Sequence, residues 1–309
     1  MSTQVMHPTQ TPLREITADH KLSLKKIMVM TDFTPASDLA LDYALALARR
    51  YDSCIYLAHV ITPPDSYPMV EPSLAAMTYE KMRQAAEQGI ADILVSGKLR
   101  GVPHEVLLRE GSLWPTVERL IAENEIDVVV TGTHGRGEFK KFFVGSAAEE
   151  IFRQASCPVL TVGPHTPSQA PKEEELNTIL FPTDYGPGAA RAAKYAFSLA
   201  QEHGAQLTML HVVERVAPLT REDEDLVRKA NIQRMKEFMP PGTENWCSVA
   251  FRVAFGAAVE EILNEGRETK ADLIIMGAKP SRAFAGHNPL TVAYGVVAKA
   301  SCPVLTVRG

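Results

Sequence analysis

Apolar positions follow two rhythms along this chain. Short unbroken apolar runs such as "KIMVMT" (26–31) and "TILFPT" (178–183) suit strands buried on both faces of a sheet. Between such runs lie longer stretches with a helical period. In "ASDLALDYALALARRY" (36–51) Leu39, Tyr43, Leu45 and Leu47 share a broad apolar face with several alanines, and Pro35 stands just upstream of the helix start. Onward, "CIYLAHVI" (54–61) reads as a second strand, residues 74–98 as a longer helix, "HEVLLRE" (104–110) as a third strand and "LWPTVERLIAEN" (113–124) as a third helix. A fourth strand, "IDVVVTG" (126–132), a last helix, "SAAEEIFRQA" (146–155), and a last strand, "PVLTV" (158–162), complete the set. Strands alternating with helices predict a parallel sheet, because right-handed crossovers carry the helices over both faces.

The same pattern is then written a second time. "ASCPVLTV" occurs at 155–162 and again at 300–307, "VVVTG" (128–132) matches "LIIMG" (273–277), and Asp127 matches Asp272. "IMVMTDFTPAS" (27–37) matches "ILFPTDYGPGA" (179–189), and "YLAHV" (56–60) matches "TMLHV" (208–212). The order is the same in both copies, so the sequence predicts a tandem duplication of one domain. The expected organisation is a polar tail over 1–23, a first domain over 24–163, an exposed Pro- and charge-rich linker over 164–176, and a second domain over 177–309. Because "PVLTV" carries no charge to protect a sheet edge, the two copies are expected to pair through these strands as an intramolecular pseudo-dimer. The alternative is attachment to a second chain, a homodimer.

Composition narrows the classes. A length of 309 residues allows two ordinary domains, and a formal charge of -5 argues against nucleic-acid binding through a basic face. No apolar run approaches the roughly 20 residues needed to span a bilayer, and the N-terminal stretch lacks a signal-peptide core, so a cytoplasmic protein without a membrane span is expected. The cysteines are Cys54, Cys157, Cys247 and Cys302. They form no metal-ligand or CxxC spacing and read as reduced packing residues.

Candidate chemistry lies where the fourth strand ends. Gly132 and Gly135 allow positive φ and would let a ligand lie against the main chain without a Cβ in the way. Gly145 and Ser146 begin a helix, whose free amides and dipole favour an anion. The Ser146 hydroxyl is suited either to capping that helix or to binding a phosphate oxygen. Arg136, Lys140 and Lys141, in the loop between, supply positive charge. The other reading is a pair of glycine turns and a small-residue helix start.

The spacing G-x2-G-x9-G-[S/T], carried by Gly132, Gly135, Gly145 and Ser146, resembles the nucleotide-binding signature of the universal stress protein family. "TGTHGRG", "VGSAAEEIFRQASCPVLTV", the leading "TDFTPAS" and the "HV" closing the second strand are similar to that family's other landmarks, in both halves. The resemblance implies two tandem Rossmann-like (adenine nucleotide alpha hydrolase-like) α/β domains, each a five-stranded parallel sheet flanked by helices. It implies ATP or another adenine nucleotide as ligand, with Mg as a candidate companion. Asp32 is then expected near the ribose or the metal, the Val60 main chain against the adenine, and the glycines and Ser146 on the phosphates. Thr31, His134, Arg136 and Ala147 complete the expected site.

The second half departs from this pattern. Gly277, Asp184 and Val212 remain, but Pro280 and Leu290 stand where the first half has Gly135 and Gly145, and Thr291 replaces Ser146. A proline lacks the amide and a leucine fills the phosphate position, so this half is expected to have lost the phosphate mode, leaving a degenerate site with Lys279 and Arg282 nearby. His59 and His211 read either as packed core histidines or as site residues. Asp32 is either functional or a brace for the first helix, and Glu149 and Glu150 read as structural. No phosphate-loop lysine motif or nucleophile elbow is present. The expected function is a nucleotide-binding stress-response regulator acting on a protein partner and not an enzyme. The alternatives are a slow metal-dependent ATPase and a nucleotide-free interaction or lipid-binding module.

Overall fold

The computed structural model describes residues 22–63, 72–133, 145–167, 176–214, 220–245, 247–278 and 291–308. The first half runs β1 (Lys26–Met30), α1 (Pro35–Tyr51), β2 (Cys54–Ile61), α2 (Pro72–Val95), β3 (His104–Glu110), α3 (Leu113–Asn124), β4 (Val128–Gly132), α4 (Ser146–Gln154) and β5 (Val159–Val162). The second half repeats it as β6 (Thr178–Pro182), α5 (Pro187–His203), β7 (Gln206–Val213), α6 (Arg221–Phe238), β8 (Val249–Phe255), α7 (Ala258–Glu268), β9 (Leu273–Ala278), α8 (Val292–Lys299) and β10 (Val304–Arg308). The ten strands of the described residues join one sheet in the order β3-β2-β1-β4-β5-β10-β9-β6-β7-β8. Pairing is parallel inside each half, as the alternation predicts.

The central strands are apolar because helices cover both faces. Ile27, Met28 and Val29 are fully buried, as are Ile179, Leu180 and Phe181. One apolar layer lies under α1, α2, α5 and α6 and the other under α3, α4, α7 and α8, and each runs through both halves. The matched acids of the repeat prove to be braces. Asp127 Oδ2 accepts the Lys25 and Lys26 amides at 2.7 and 2.9 Å, and Asp272 Oδ2 accepts those of Asn177 and Thr178, each at 2.9 Å. Each therefore ties the last strand–helix unit to the start of the first strand.

Two boundaries differ from the sequence pattern. Pro35 is the first residue of α1, where its missing N–H and fixed φ are suited, with Thr34 as the cap in a reciprocal bond with Ser37. The long helix runs Pro72–Val95, not 74–98. Gly97 follows it at φ 77°, a left-handed conformation that stops a helix.

The expected pairing of the two last strands is present. Leu160 lies opposite Leu305, and Val159 opposite Thr306, in an antiparallel ladder between β5 and β10. Polar contacts lock the flanks of this junction. The Tyr51 hydroxyl donates to Glu202 Oε2 at 2.7 Å, the Leu22 amide to Glu202 Oε1 at 2.6 Å, and Arg308 to the Gln154 carbonyl at 2.6 Å.

Candidate functional site

The strand order 3-2-1-4-5 in each half reverses between the first and fourth strands, so the crevice at their carboxyl ends is the place an open α/β sheet offers a ligand. In the first half the β1–α1 turn forms one wall. Phe33 sits there at φ 65° and Tyr185 at the matching place at φ 58°, a left-handed backbone that costs a side-chain-bearing residue about 1–2 kcal/mol. The same bonds hold both. The Phe33 amide donates to Thr31 Oγ1 and the Tyr185 amide to Thr183 Oγ1, each at 3.1 Å.

Both histidines fix this turn. His59 Nδ1 donates to the Thr31 carbonyl at 2.7 Å, and His211 Nδ1 to the Thr183 carbonyl at 2.8 Å. Their rings pack on Phe33 and Tyr185 with centroids 4.6 and 4.7 Å apart. Burial pushes His211 below its ordinary 6.5, an effect the bond to Thr183 only partly offsets and the Arg234 charge reinforces. The packed reading of these histidines is the one that the geometry favours, although His211 also lines a cavity described below. Phe33 and Tyr185 were not singled out in the sequence. The signal was there, an aromatic residue after "TD" in both copies.

Asp32 is half-buried at the end of β1. Its Oδ1 accepts the Thr34 amide at 3.1 Å and the Thr34 hydroxyl at 2.5 Å, so it braces the cap of α1. Both of these bonds go to Oδ1, and no bond to its other oxygen is made among the described residues. Thr31, just before it, is buried, and its hydroxyl lies 3.2 Å from the Ser37 hydroxyl. It therefore acts on the turn from within.

Main-chain groups of the second strand face the crevice. The last bond from β1 is Thr31 N–H to the Ala58 carbonyl at 2.9 Å, and on the other side Gly111 N–H reaches the Ile61 carbonyl at 3.0 Å. Strand alternation therefore turns the Val60 N–H and C=O toward the β1 side, past the end of that strand. Val212 is placed the same way by Thr183 to Leu210 at 2.8 Å and Gly256 to Val213 at 3.1 Å. A donor and an acceptor on one edge suit a flat heterocycle.

Gly132 has another purpose than the one expected. It is not among the glycines at positive φ. A β-carbon on it would stand 2.6 Å from the Ala36 carbonyl oxygen, and one on Gly277 would stand 2.4 Å from the Gly188 carbonyl carbon. The space is filled by the start of the first helix of each half, not by a ligand. These glycines let that helix lie against the strand end and so bring the two walls of the crevice together.

The helix starts differ between halves. In α4 the cap is Gly145, which has no side chain to offer, and its amide donates to the Thr133 carbonyl at the end of β4. Ser146 is the first helical residue and does not cap; it and Ala147 are exposed. Among the described residues no side chain caps the amides of this first turn, which a helix leaves for an outside acceptor. In α8 the cap is Thr291, whose hydroxyl accepts the Tyr294 amide at 3.3 Å. A threonine oxygen thus takes the place that an anion's oxygen would take. Glu149 pairs with Arg153 at 2.9 Å within α4, consistent with a structural part.

In the second half the crevice is a cavity of about 600 Å³ whose wall includes Asp184, His211, Val212, Met276, Gly277 and Thr291. His134, Gly135, Arg136, Lys140, Lys141, Lys279, Pro280, Arg282 and Leu290 lie outside the described residues. Among the described residues no group of three His, Cys, Asp or Glu side chains is placed to hold a metal ion, and no helix is long and apolar enough to cross a membrane.

Fold and crevice together define a class, a tandem doubly wound α/β protein with a switch-point crevice in each half. The family follows from its sequence. The universal stress protein family model matches residues 23–163 and again 175–308, and the chain belongs to that family. It is 28% identical over 294 residues to a universal stress protein of Mycolicibacterium smegmatis, covering 91% of this chain and 96% of the relative. The crystal structure of a universal stress protein from Archaeoglobus fulgidus is similar with a TM-score of 0.65 at 18% identity, over 93% of this chain and 99% of that one. A universal stress protein structure from Pseudomonas aeruginosa, at 16% identity, gives 0.55 over 93% and 94%. The fold and family expected from the sequence are borne out.

Proposed function

We propose that the first half binds ATP or another adenine nucleotide in the crevice between β1 and β4, and that occupancy changes how the chain meets a protein partner in a cytoplasmic stress response. The observation that carries this reading is the bare start of α4: a glycine cap, exposed small residues behind it, and first-turn amides that no described side chain caps, at the carboxyl end of β4. Such a helix end favours phosphate. The Val60 main chain offers the adenine edge a donor and an acceptor, and the second oxygen of Asp32 serves the sugar. Gly135, His134 and Arg136 are the further contacts that the family pattern adds.

A Mg ion accompanying the phosphates keeps several waters and needs only one or two carboxylates besides the phosphate oxygens. Asp32 supplies one such oxygen, so the residues fit the ion, which would neutralise phosphate charge there. A few charge-assisted hydrogen bonds of about 1.5–3 kcal/mol each suffice for micromolar binding, which needs about 8 kcal/mol net. The role is binding and regulation rather than turnover.

The test is Gly145→Leu. Gly145 has φ -57° and ψ 144°, which any residue adopts, so leucine fills the phosphate position without straining the backbone. ATP affinity, measured by calorimetry, is expected to fall at least tenfold, about 1.4 kcal/mol. Undiminished binding would show that the α4 start is not the phosphate site.

A further inference from the structure

Duplication creates a space that neither half has by itself. Between α1 and α5, beside the β5–β10 ladder, lies a cavity of about 110 Å³. Its wall is built of matched pairs from the two halves: Leu24 with Leu176, Leu47 with Leu199, and Leu160 with Leu305. Leu160 and Leu305 face each other across the ladder, and these two are buried, as are Leu24 and Leu199. Val128 and Leu273, also on the wall, are the first residues of β4 and β9. The cavity therefore lies toward the amino ends of the strands, opposite the crevices at their carboxyl ends. Polar side chains on the described wall are bonded to the protein itself. Asp272 Oδ2 accepts the Asn177 and Thr178 amides, Arg50 donates to the Glu202 carbonyl at 3.2 Å, and the Tyr43 hydroxyl donates to the Pro167 carbonyl at 3.5 Å. His203 Nε2 lies 3.3 Å from the Tyr51 hydroxyl. Burial holds the Tyr195 phenol above its ordinary 10.0, so it is neutral.

We infer that this junction cavity binds a small apolar molecule, a hydrocarbon ring or short alkyl group of benzene size. Side chains around an empty apolar space forfeit dispersion contacts, and a guest that leaves water to fill it restores them. The scale fits, because an engineered cavity of about 150 Å³ with Leu, Ile and Phe walls stays dry and takes up benzene or xenon. The paired walls add a consequence. Since each half supplies one side, the site exists only while the halves are docked, and a guest stabilises that docked state by mass action. Nothing in this inference depends on nucleotide binding in either crevice.

The test uses the full chain and two probes, benzene in solution and xenon in pressurised crystals. Calorimetric titration of the wild-type chain is expected to give one benzene per chain, with a thermal midpoint that rises with benzene concentration. Xenon is expected between α1 and α5, against Leu160 and Leu305. Ala46 lines the cavity from α1, and a leucine there fills the space with little cost to the helix. Ala46→Leu is expected to weaken benzene binding at least tenfold. Where that variant does not fold, the xenon position in wild-type crystals decides. Benzene binding undiminished in Ala46→Leu, or xenon found only elsewhere in the molecule, overturns the proposal, as does a wild-type chain that takes up no benzene.

Discussion

At the scale of single residues, the glycines at the ends of β4 and β9 hold the crevice by what they lack. With the Ala36 carbonyl 2.6 Å from where a β-carbon would stand on Gly132, even one added methyl must push α1 off the strand. Overpacking of this kind costs about 1–3 kcal/mol, so Gly132→Ala is expected to lower the urea midpoint accordingly, and an unchanged midpoint would contradict the packing argument. The glycine was legible in the sequence, but its reason was not. Positive φ is a local property a reader can guess, whereas the approach of α1 is tertiary. Asp32 and the two histidines show the same limit, since their partners lie on a turn whose left-handed Phe33 and Tyr185 no periodicity reveals.

His211 also sets a pH dependence. Its folded pKa lies below the 6.5 it has when exposed, so below that value the unfolded chain binds the proton first and stability is lost as pH falls. Above 6.5 the contribution of the neutral ring is complete. Unfolding free energy is expected to drop as pH falls through 6.5, and to drop less in His211→Asn. Equal losses in the two proteins would remove His211 from the account. His203 is shifted the same way by burial and then by Arg50, so the variant retains part of the dependence.

At the scale of elements, the strand and helix rhythm was enough to place the strands and helices of the first half, because buried parallel strands and amphipathic helices write different periods. The repeated phrases carried β6, β7, β9 and β10 into the second half, whereas α6, β8 and α7 were not read individually. What it missed was how helices begin. Of the two roles open to the Ser146 hydroxyl, capping is not the one seen; Thr34 was passed over and closes a capping box with Ser37. Thr34→Ala is expected to cost about 1 kcal/mol, read from thermal or urea unfolding, and more than Ser146→Ala, whose hydroxyl leaves the helix uncapped either way. Equal costs would mean that the cap assignments of α1 and α4 are wrong. The contrast between a bare α4 start and a self-capped α8 start follows from a Gly145-to-Leu290 and Ser146-to-Thr291 difference visible in the sequence. Its consequence, a threonine hydroxyl on the Tyr294 amide at the start of α8, is a matter of three-dimensional placement.

At the scale of the whole molecule, duplication solves an edge problem. The uncharged "PVLTV" segment, unprotected at an edge, becomes interior when β5 meets β10, and the ten-stranded sheet is left with β3 and β8 outermost. This was foreseeable from the repeated phrase alone, because an identical apolar edge in both copies has an obvious partner. The apolar layers run through the junction, so the halves should unfold together. Leu160 is 6% exposed and faces Leu305. Leu160→Asp buries an unpaired carboxylate there at a cost of several kcal/mol, and is expected to split a single unfolding transition into two. A single transition at an unshifted midpoint would mean the junction contributes little.

The central claim is that one half of a duplicated fold takes a nucleotide through its phosphates and the other does not. Equilibrium dialysis of the wild-type chain against ATP at concentrations spanning the micromolar range measures it directly. One ATP per chain is the result expected from an open α4 and a capped α8. Two equivalent sites per chain, or none, would contradict it.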